Sequence, residues 1–430
     1  MFDALLATDI VDGPVIVVFT VLAAVAAVVL LVRRPTGRWL VTSGIALAIG
    51  LAIAVSLWLV TVRLLNLWGG SLGLGNYLWV TATCGGVCLA IVNLWRSRVW
   101  RKVVAAVSIP VFLITGTLAV NASYGINHSL GNLIDVSTEK PIHLTPHPAA
   151  AGYDAHLWKH WKPPADLPAK GRVGTQVIPN TRSGFRSRPA GIYLPPAALV
   201  KHPPRLPLVV LLMGQPGNPD PLQAAVVLDK FAAAHHGLAP IVIVPDQLGD
   251  PLQDPLCLDT YKYGKAETFL TKDVVTWADA HLNIAHDHRF WTIAGYSNGG
   301  QCALSIAVKH PHMFSNLIDV SGEEFPGAEH AGAIVKEVFG GNASAYEAQK
   351  PLEIMKAHRY PGMTAVFTAG DDDPVYRLVA AKAALLARSC GMTVDHFEIH
   401  GGGHGQKALT DGLEEGFRVL YPVLGLANLS

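Results

Sequence analysis

Ser297 lies in the pentapeptide Gly295-Tyr296-Ser297-Asn298-Gly299, where glycine stands two residues before and two residues after the serine. In a sharp turn the serine hydroxyl is pushed clear of the sheet, and a β-carbon at either glycine would collide with neighbouring backbone. The apolar run 290–294 before the turn is typical of a buried strand, and Gln301 to His310 is typical of a helix. The sequence therefore predicts a strand, a tight turn at Gly295–Gly299 that exposes a nucleophile, and a helix.

A histidine and a carboxylate are expected to assist this serine, because a serine hydroxyl is a weak nucleophile at neutral pH. His404 follows the last predicted strand and is preceded by three glycines that allow the loop to return over Ser297. His400 stands at the end of that strand, where it is expected to cap or pack. We predict His404 as the general base.

Asp371, Asp372 and Asp373 follow the preceding predicted strand, where the chain order serine, acid, histidine requires a carboxylate. Three consecutive side chains cannot all face His404. We predict Asp373 as the acid, with Asp371 as the alternative. The unused aspartates are expected to lie in the turn or to cap the helix that begins near Pro374.

Backbone N–H groups must stabilise the negative charge that develops on a substrate carbonyl oxygen. One donor is expected at Asn298, directly after the serine, and the other in the loop after the apolar run Leu206 to Met213. Gln215 is the predicted position in that loop. The alternative is that Gly214 to Gly217 is only a turn.

Short apolar runs alternate with helical segments from Gly171 onward, which predicts a mostly parallel sheet with helices on both faces. The first two strands are expected to be antiparallel. The segment from Glu323 to Gly362 carries no recognisable motif and is expected to cover the site and contribute to selectivity. The predicted strands are 171–179, 191–194, 206–213, 239–245, 290–294, 317–320, 364–368 and 394–399, and the predicted helices are 268–282, 301–310 and 374–390.

The N-terminal part of the chain contains four uncharged apolar stretches, Gly13 to Val32, Trp39 to Val62, Tyr77 to Trp95 and Val103 to Val120. At ~1.5 Å rise per residue, each is long enough for a hydrocarbon core of roughly 30 Å. We predict four transmembrane helices, and a bundle of buried soluble helices is the alternative. The leader before the first stretch has acidic residues and no basic ones, unlike a cleaved signal peptide.

Basic residues in the short loops predict the orientation, because they are retained on the cytoplasmic side. The first and third loops are basic, whereas the 63–76 loop has one basic residue and the N-terminus has none. Both ends of the chain are therefore expected outside, with everything after about Asn121 extracytoplasmic. The basic residues are Arg33, Arg34 and Arg38 in the first loop and Arg96, Arg98, Arg101 and Lys102 in the third.

Composition excludes some partners. The formal net charge is +1 and no basic stripe is present, so that nucleic acid is not expected to bind. No cluster has zinc-ligand spacing, and neither a metal nor an organic cofactor is predicted. Of five cysteines, Cys257, Cys302 and Cys390 follow the spans; we predict a Cys257–Cys302 disulfide in an oxidising exterior, with free buried thiols as the alternative.

The predicted domains are a four-span module at 1–121, an extracytoplasmic linker at 122–170 and an α/β-hydrolase catalytic domain at 171–430. The last of these resembles the putative-esterase family, which includes S-formylglutathione hydrolases and the mycolyltransferase antigens of mycobacteria. The likeness covers about Gly171 to Leu420 and rests on five pieces of sequence. They are Ala190 to Pro196, Phe269 to Val275, Ala294 to Gly300, His310 to Ser315 and Val320 to Gly322.

In that family the acid falls in Gly-x-x-Asp, which favours Asp373, and the histidine commonly follows Gly-Gly, as His404 does. Members often have Met after the serine and Asp-Trp after the histidine, whereas this chain has Asn298 and Gly405-Gln406, which puts the substrate pocket in question. The apolar N-terminal module resembles that of membrane-embedded actinobacterial members.

These features together predict a membrane-anchored extracytoplasmic serine esterase. Its expected partners are the lipid bilayer and an ester of a lipid or cell-envelope component, cleaved through an acyl-enzyme. One alternative is an acyltransferase that moves the acyl group to a sugar or lipid hydroxyl. Another is a binding or scaffold protein that has kept the fold without catalysis.

Overall fold

The computed structural model describes residues 5–64, 73–95, 97–125, 127–133, 140–144 and 152–428. The chain divides into two compact units, Met1–Thr138 and Glu139–Ser430. Asp3, Arg96, most of the 63–76 loop and two stretches of the expected linker, 134–139 and 145–151, lie outside the described residues. The segment boundaries 1–121, 122–170 and 171–430 stay predictions.

The first unit contains four long apolar helices, as the sequence predicted. Each is long and apolar enough to cross a membrane, with a mean hydropathy between 1.4 and 2.9 over its most apolar stretch. Only 6% to 39% of that stretch is buried within the protein, so that most of the apolar side chains face outward. The helices are α1 (Pro14–Leu31), α2 (Gly37–Trp58, continued by a π-helical turn at Leu59–Leu64), α3 (Leu74–Asn93) and α4 (Val99–Tyr124).

The two basic loops lie at the same end of this unit. The Arg101 guanidinium donates hydrogen bonds to the carbonyl oxygens of Val29 at 2.7 Å and Val32 at 2.5 Å. Arg33 donates to the hydroxyl of Ser97 at 3.4 Å. Arg101 thereby satisfies carbonyl groups that the end of α1 leaves without helical partners.

The segment before α1 and the segment after α4 meet at the other end of α1. The Ile10 N–H donates to the His128 carbonyl at 3.0 Å, and the Leu130 N–H donates to the Thr8 carbonyl at 3.1 Å. A short helical turn follows at Leu130–Leu133. The N-terminal segment and the exit from the last long helix are therefore on one side of the unit, away from the basic loops.

The second unit is built on a sheet of eight strands in the order β1-β2-β4-β3-β7-β8-β9-β10. β1 and β4 pair antiparallel with β2, and every other neighbouring pair is parallel. The sheet strands are β1 (Arg172–Gln176), β2 (Ala190–Leu194), β3 (Leu208–Leu212), β4 (Ile241–Val244), β7 (Trp291–Tyr296), β8 (Asn316–Val320), β9 (Thr364–Gly370) and β10 (Thr393–Ile399), and a separate hairpin contains β5 (Asp259–Thr260) and β6 (Gly264–Lys265).

The eight predicted strands and the antiparallel start are confirmed. β3, β4 and β7 are buried along their whole length, which is why their sequences are continuously apolar. The strand predicted at 290–294 extends to Tyr296, because Gly295 still pairs with Asp319 of β8. The β5–β6 hairpin was not predicted, since a strand of two residues has no periodicity to recognise.

Helices cover the sheet, and two of them bear directly on the serine and the acid. The helix predicted at 301–310 begins earlier, at Asn298, directly after Ser297, and the one predicted at 374–390 is confirmed. The helices are α5 (Leu222–Ala234), α6 (Val275–His281, preceded by Ala266–Thr268 and a π-helical turn at Phe269–Val274), α7 (Asn298–Lys309), α8 (Ala331–Glu337), α9 (Ala343–Glu347), α10 (Pro351–Ala357), α11 (Pro374–Ser389) and α12 (Gln406–Val423), with short turns at Leu157–His160, Pro196–Ala198, His288–Phe290 and Ala328–His330.

The hydrophobic core lies around the central strands β3, β7 and β8 and the helix α7, which is buried from Asn298 to Val308. A disulfide joins Cys257 to Cys302 and so ties the loop before β5 to α7. The predicted pairing is confirmed, and Cys390 is a free, buried thiol. The helix that begins at the serine is therefore held on one side by the sheet and on the other by a covalent bond.

Candidate active site

Ser297 occupies a strained turn between β7 and α7. Its φ is 56° and its ψ is −120°, a backbone conformation that non-glycine residues seldom adopt. The Ser297 N–H donates to the Val320 carbonyl at 2.9 Å, and the Ser297 carbonyl accepts the Gln301 N–H at 3.1 Å. These two bonds fix the turn to β8 on one side and to the first turn of α7 on the other.

The two flanking glycines permit this turn because backbone passes directly against both. A β-carbon at Gly295 would collide with the carbonyl of Gly299, and a β-carbon at Gly299 would collide with the carbonyl of Leu212 in β3. Alanine at either position would force the turn open. The strand, the turn and the helix can come together only with glycine at both places.

Ser297, His404 and Asp373 form a hydrogen-bonded chain. His404 Nε2 lies 2.9 Å from Ser297 Oγ, and His404 Nδ1 lies 3.0 Å from Asp373 Oδ2. A carboxylate can only accept, so that Nδ1 carries the hydrogen and Nε2 of the neutral ring offers its lone pair to the serine hydroxyl. Ser297 is 6% exposed and Asp373 is 8% exposed, and the three side chains are largely shielded from water.

The other aspartates of the run point elsewhere. Asp371 Oδ2 lies 2.9 Å from Nδ1 of His400, a fully exposed side chain, and Asp371 Oδ1 accepts the Gly401 N–H at 2.8 Å. Asp372 is exposed and its N–H donates to the Gly402 carbonyl at 2.9 Å. The structure therefore places Asp373 beside His404 and places Asp371, the alternative acid, beside His400.

The glycine-rich loop before His404 returns close to the end of β9. A β-carbon at Gly370 would collide with the carbonyl of Gly402, and Gly401 has a φ of +64°. Glycine tolerates both the close backbone contact and the positive φ, because it has no β-carbon. The loop can therefore turn back from β10 and carry His404 towards the serine.

Two tyrosine rings stack on the His404 imidazole. The Tyr376 ring centroid lies 4.0 Å away at an interplanar angle of 28°, and the Tyr296 centroid lies 5.3 Å away at 27°. Such contacts fix the plane of the ring and keep water from its faces. Neither tyrosine was predicted as a site residue, because aromatic residues in these positions carry no spacing signal.

The two predicted N–H donors are neighbours of the serine. Asn298 is the first residue of α7, where N–H groups have no helical acceptor and the helix dipole favours negative charge. Gly214 follows β3, and a β-carbon there would lie 3.4 Å from Cβ of Ser297. Gln215 is the next residue along the chain. The two predicted donor positions therefore belong to the two segments that flank Ser297.

The family that is described as putative esterase matches residues 185–408, which is more than half of this chain. The matched span contains Ser297, Asp373 and His404. The chain belongs to the putative esterase family. The expected resemblance is thereby confirmed, together with the α/β-hydrolase-like architecture of the second unit.

An uncharacterized protein of Corynebacterium glutamicum is 34% identical to this esterase-family chain over 235 residues, which is 52% of the chain. The match spans 55% of that relative, about half of its length. Among solved structures, an S-formylglutathione hydrolase from Agrobacterium tumefaciens is similar with a TM-score of 0.49 and 16% identity, covering 61% of this chain and 98% of that one. A ferulic acid esterase is similar with a TM-score of 0.48 and 16% identity, covering 59% and 99%.

This family member also has three acidic residues near the serine that the sequence did not single out, Asp254, Glu323 and Glu329. Glu323 follows β8 by three residues, and its N–H donates to the Ser297 carbonyl at 3.4 Å. Glu329 belongs to the segment that was expected to cover the site, whereas Asp254 comes from the loop before β5. Single acidic residues in loops without a motif give no signal in one sequence.

Proposed function

We propose that this protein is a membrane-anchored serine esterase that cleaves a carboxylic ester of a lipid or cell-envelope component outside the cytoplasm. The observation that carries the proposal is the hydrogen-bonded chain from Asp373 through His404 to Ser297. A triad is recognised by this geometry and by the roles that it permits. Membership of the putative esterase family supports the same chemistry.

The reaction follows from the geometry. Ser297 Oγ attacks the ester carbonyl while His404 Nε2 takes its proton, and Asp373 stabilises the imidazolium. The N–H groups of Asn298 and Gln215 hold the oxyanion. The tetrahedral intermediate collapses to an acyl-serine as His404 returns the proton to the departing alcohol. Water then attacks the acyl-serine by the same route and releases the acid, so that these steps need no metal or organic cofactor.

Several features of the chain support the membrane-anchored, extracytoplasmic part of the proposal. Four helices with outward apolar faces match the dimensions of a bilayer. The basic loops lie together at one end of the unit, and the positive-inside tendency assigns that end to the cytoplasm. The Cys257–Cys302 disulfide fits an oxidising compartment. An anchored enzyme is suited to an amphiphilic ester that resides in the membrane or envelope.

Fluorophosphonate labelling of the purified full chain tests the chemistry. We expect the wild type to be labelled and Ser297→Ala to remain unlabelled, with esterase activity reduced by roughly 10⁴-fold or more. Ser305→Ala, a change at another buried serine of α7, is the matched control and should still be labelled. A wild type without label would favour a scaffold over an enzyme, whereas a Ser297→Ala protein labelled as well as the wild type would show that the reactive nucleophile is not Ser297.

Product analysis separates hydrolysis from acyl transfer. With an ester substrate and an added acceptor alcohol, a hydrolase releases free acid at the same yield whether or not the alcohol is present. A transferase forms the new ester and releases little acid. We expect free acid in both conditions.

Labelling of introduced cysteines tests the orientation, in a background from which the free cysteines Cys84, Cys88 and Cys390 have been removed. Tyr261 is fully exposed in the β5–β6 turn, and Arg34 is exposed in the first basic loop. In intact cells a membrane-impermeant maleimide should modify Tyr261→Cys and should modify Arg34→Cys only after the cells are opened. The reverse pattern would place the catalytic unit in the cytoplasm.

A further inference from the structure

Acidic side chains reach the nucleophile from two different segments. The Asp254 carboxylate accepts hydrogen bonds from the Leu256 N–H at 2.7 Å, from the side-chain amide of Asn298 and from the Gly327 N–H. Asn298 is the residue directly after Ser297, so that its side chain ties Asp254 to the nucleophile turn.

Glu323 approaches the same place from the other side. Its N–H donates to the Ser297 carbonyl, and the residue is only 8% exposed. Within the part of the chain that the structure describes, the Glu323 carboxyl makes no hydrogen bond and no ion pair. A carboxylate in such a setting is costly unless a cation or a proton neutralises it.

The charged groups around Glu323 increase this cost. Asp254 and Glu329 are the charged neighbours that act on Glu323, and both are acidic. Burial raises the pKa of Glu323 well above its usual range, and the charges of Asp254 and Glu329 raise it further. Burial likewise raises the pKa values of Asp254 and Glu329. Burial and the acidic neighbours therefore favour the protonated form of Glu323.

The acidic residues also border the triad histidine. Burial raises the pKa of the Tyr376 hydroxyl, and Glu323 and Glu329 raise it further, so that both lie near this ring, which stacks on His404. The charge of His404 in turn acts on Glu329. Acidic residues and an aromatic ring therefore lie beside the imidazole, a combination that favours an organic cation.

We propose that Asp254, Glu323 and Glu329 form a subsite for the ammonium group of the substrate, and that the esterase acts on aminoacyl esters. The assignment rests on the proposed esterase function. Asp254 is bonded to the side chain of Asn298, and the Glu323 backbone is bonded to the Ser297 carbonyl, so that a cation held by these two residues would lie near the scissile carbonyl. In an α-aminoacyl ester the ammonium stands on the carbon next to that carbonyl.

The subsite also gives a reason why an uncharged ester would be cleaved more slowly than an aminoacyl ester. Negative charge develops on the carbonyl oxygen in the transition state, and nearby carboxylates oppose it. A bound ammonium cancels that opposition, and Glu323 releases its proton to solvent as the ion pair forms. Ser297 then forms an aminoacyl-serine, the alcohol leaves with the proton from His404, and water releases the free amino acid.

A matched pair of substrates tests the proposal. The alanyl and propionyl esters of the same glycerol lipid differ only in the ammonium group, and the full chain in detergent micelles is assayed with both. We expect kcat/KM to be at least about 100-fold higher for the alanyl ester. Glu323→Gln should reduce that ratio by roughly tenfold, because the ammonium loses a charged partner. Glu324→Gln, which removes the neighbouring acid that pairs with Lys382, should leave the ratio unchanged.

The wild type provides a second measurement that does not depend on the folding of a variant. Glu323 must lose its proton to pair with an ammonium, so KM for the alanyl ester should fall as the pH rises towards about 7, below the usual α-amino pKa. KM for the propionyl ester should not follow this trend. Chelation by EDTA should change neither value; a loss of activity on chelation would show that the acidic residues hold a metal.

The outcomes separate the two proposals. Labelling by fluorophosphonate together with equal cleavage of both esters would overturn the ammonium subsite and leave the esterase function standing. The absence of both labelling and cleavage would reject the esterase function itself. A substrate preference that survives in Glu323→Gln, with the same pH trend, would also overturn the subsite.

Discussion

Asp373 uses its two carboxylate oxygens for two different partners, and His404 is only one of them. Oδ2 lies 3.0 Å from His404 Nδ1, whereas Oδ1 accepts the N–H of Tyr376 at 3.3 Å and so caps α11. The same Tyr376 stacks on the His404 ring. The start of α11 thus holds both the acid and one face of the base in a single arrangement.

Asp373→Asn should reduce kcat by about 10³- to 10⁴-fold while the protein stays folded, because an asparagine can still cap α11 but does not stabilise the imidazolium. The measurement is esterase kinetics together with thermal unfolding. Asp371→Asn is the control and should retain most of the activity, since Asp371 pairs with the exposed His400. A larger loss from Asp371→Asn than from Asp373→Asn would assign the acid to Asp371.

Gly295→Ala and Gly299→Ala should each abolish fluorophosphonate labelling and lower the midpoint of thermal unfolding. In both cases the new β-carbon would meet backbone that cannot move without breaking β3 or α7, with a cost of about 3 kcal/mol or more. Gly332→Ala in α8 is the matched control, because nothing lies within 4 Å of its β-carbon position. That variant should be as stable as the wild type or slightly more so. Full labelling of Gly295→Ala would contradict the tight turn.

Asp319→Asn should stabilise the protein in a pH-dependent manner. Asp319 lies in β8, is 5% exposed and has one carboxyl oxygen without a partner among the described residues. Burial raises its pKa to about 7, although the Gly322 N–H opposes the shift. Because the folded protein holds the proton more tightly than the unfolded chain, the wild type loses stability as the pH rises from about 4 to about 7.

The gain from Asp319→Asn in the free energy of unfolding should therefore be small near pH 4 and reach a plateau above pH 7. A shift of this size corresponds to on the order of 4 kcal/mol. Chemical denaturation at a series of pH values, followed by tryptophan fluorescence, measures the difference. An equal gain at every pH would show that Asp319 does not titrate in this range.

Loss of the Cys257–Cys302 disulfide should destabilise the second unit by up to about 4 kcal/mol, the chain-entropy value for a loop of this length. The two cysteines are separated by 45 residues. Cys257→Ala/Cys302→Ala should unfold at a lower temperature than the wild type and should no longer respond to dithiothreitol. Cys390→Ala, a change at a free thiol, serves as the control and should keep its response to the reductant.

Several elements could be predicted because one physical demand fixes each of them locally. The buried strands β3, β4 and β7 need apolar residues on both faces, and their runs are readable for that reason. The long helices α1 to α4 are readable because their side chains face outward and must all be apolar. The residues around Ser297 and His404 are readable because tight turns require glycine at fixed spacing.

Other elements follow from contacts between distant segments and could not be read from the chain. α12 carries its apolar residues towards β8 and β9, yet its sequence also contains charged residues and glycines that obscured the pattern. Glycine is needed at 412 and 416 because side chains of β8 and β9 pack directly against these positions, and that contact is visible only in the folded protein. The pairing of Asp371 with His400 and of Asp373 with His404 likewise depends on how β9 and β10 end side by side.

The sequence by itself determined the strained serine turn, the order of the triad candidates and the four apolar helices, because each is imposed by local backbone geometry or by solvent. Only the tertiary structure decided what surrounds Ser297. Asp254, Glu323 and Glu329 come from separate loops, and the stacking of Tyr376 on His404 depends on where α11 begins. Packing between distant segments sets such distances, and these contacts produce no periodic pattern in the sequence.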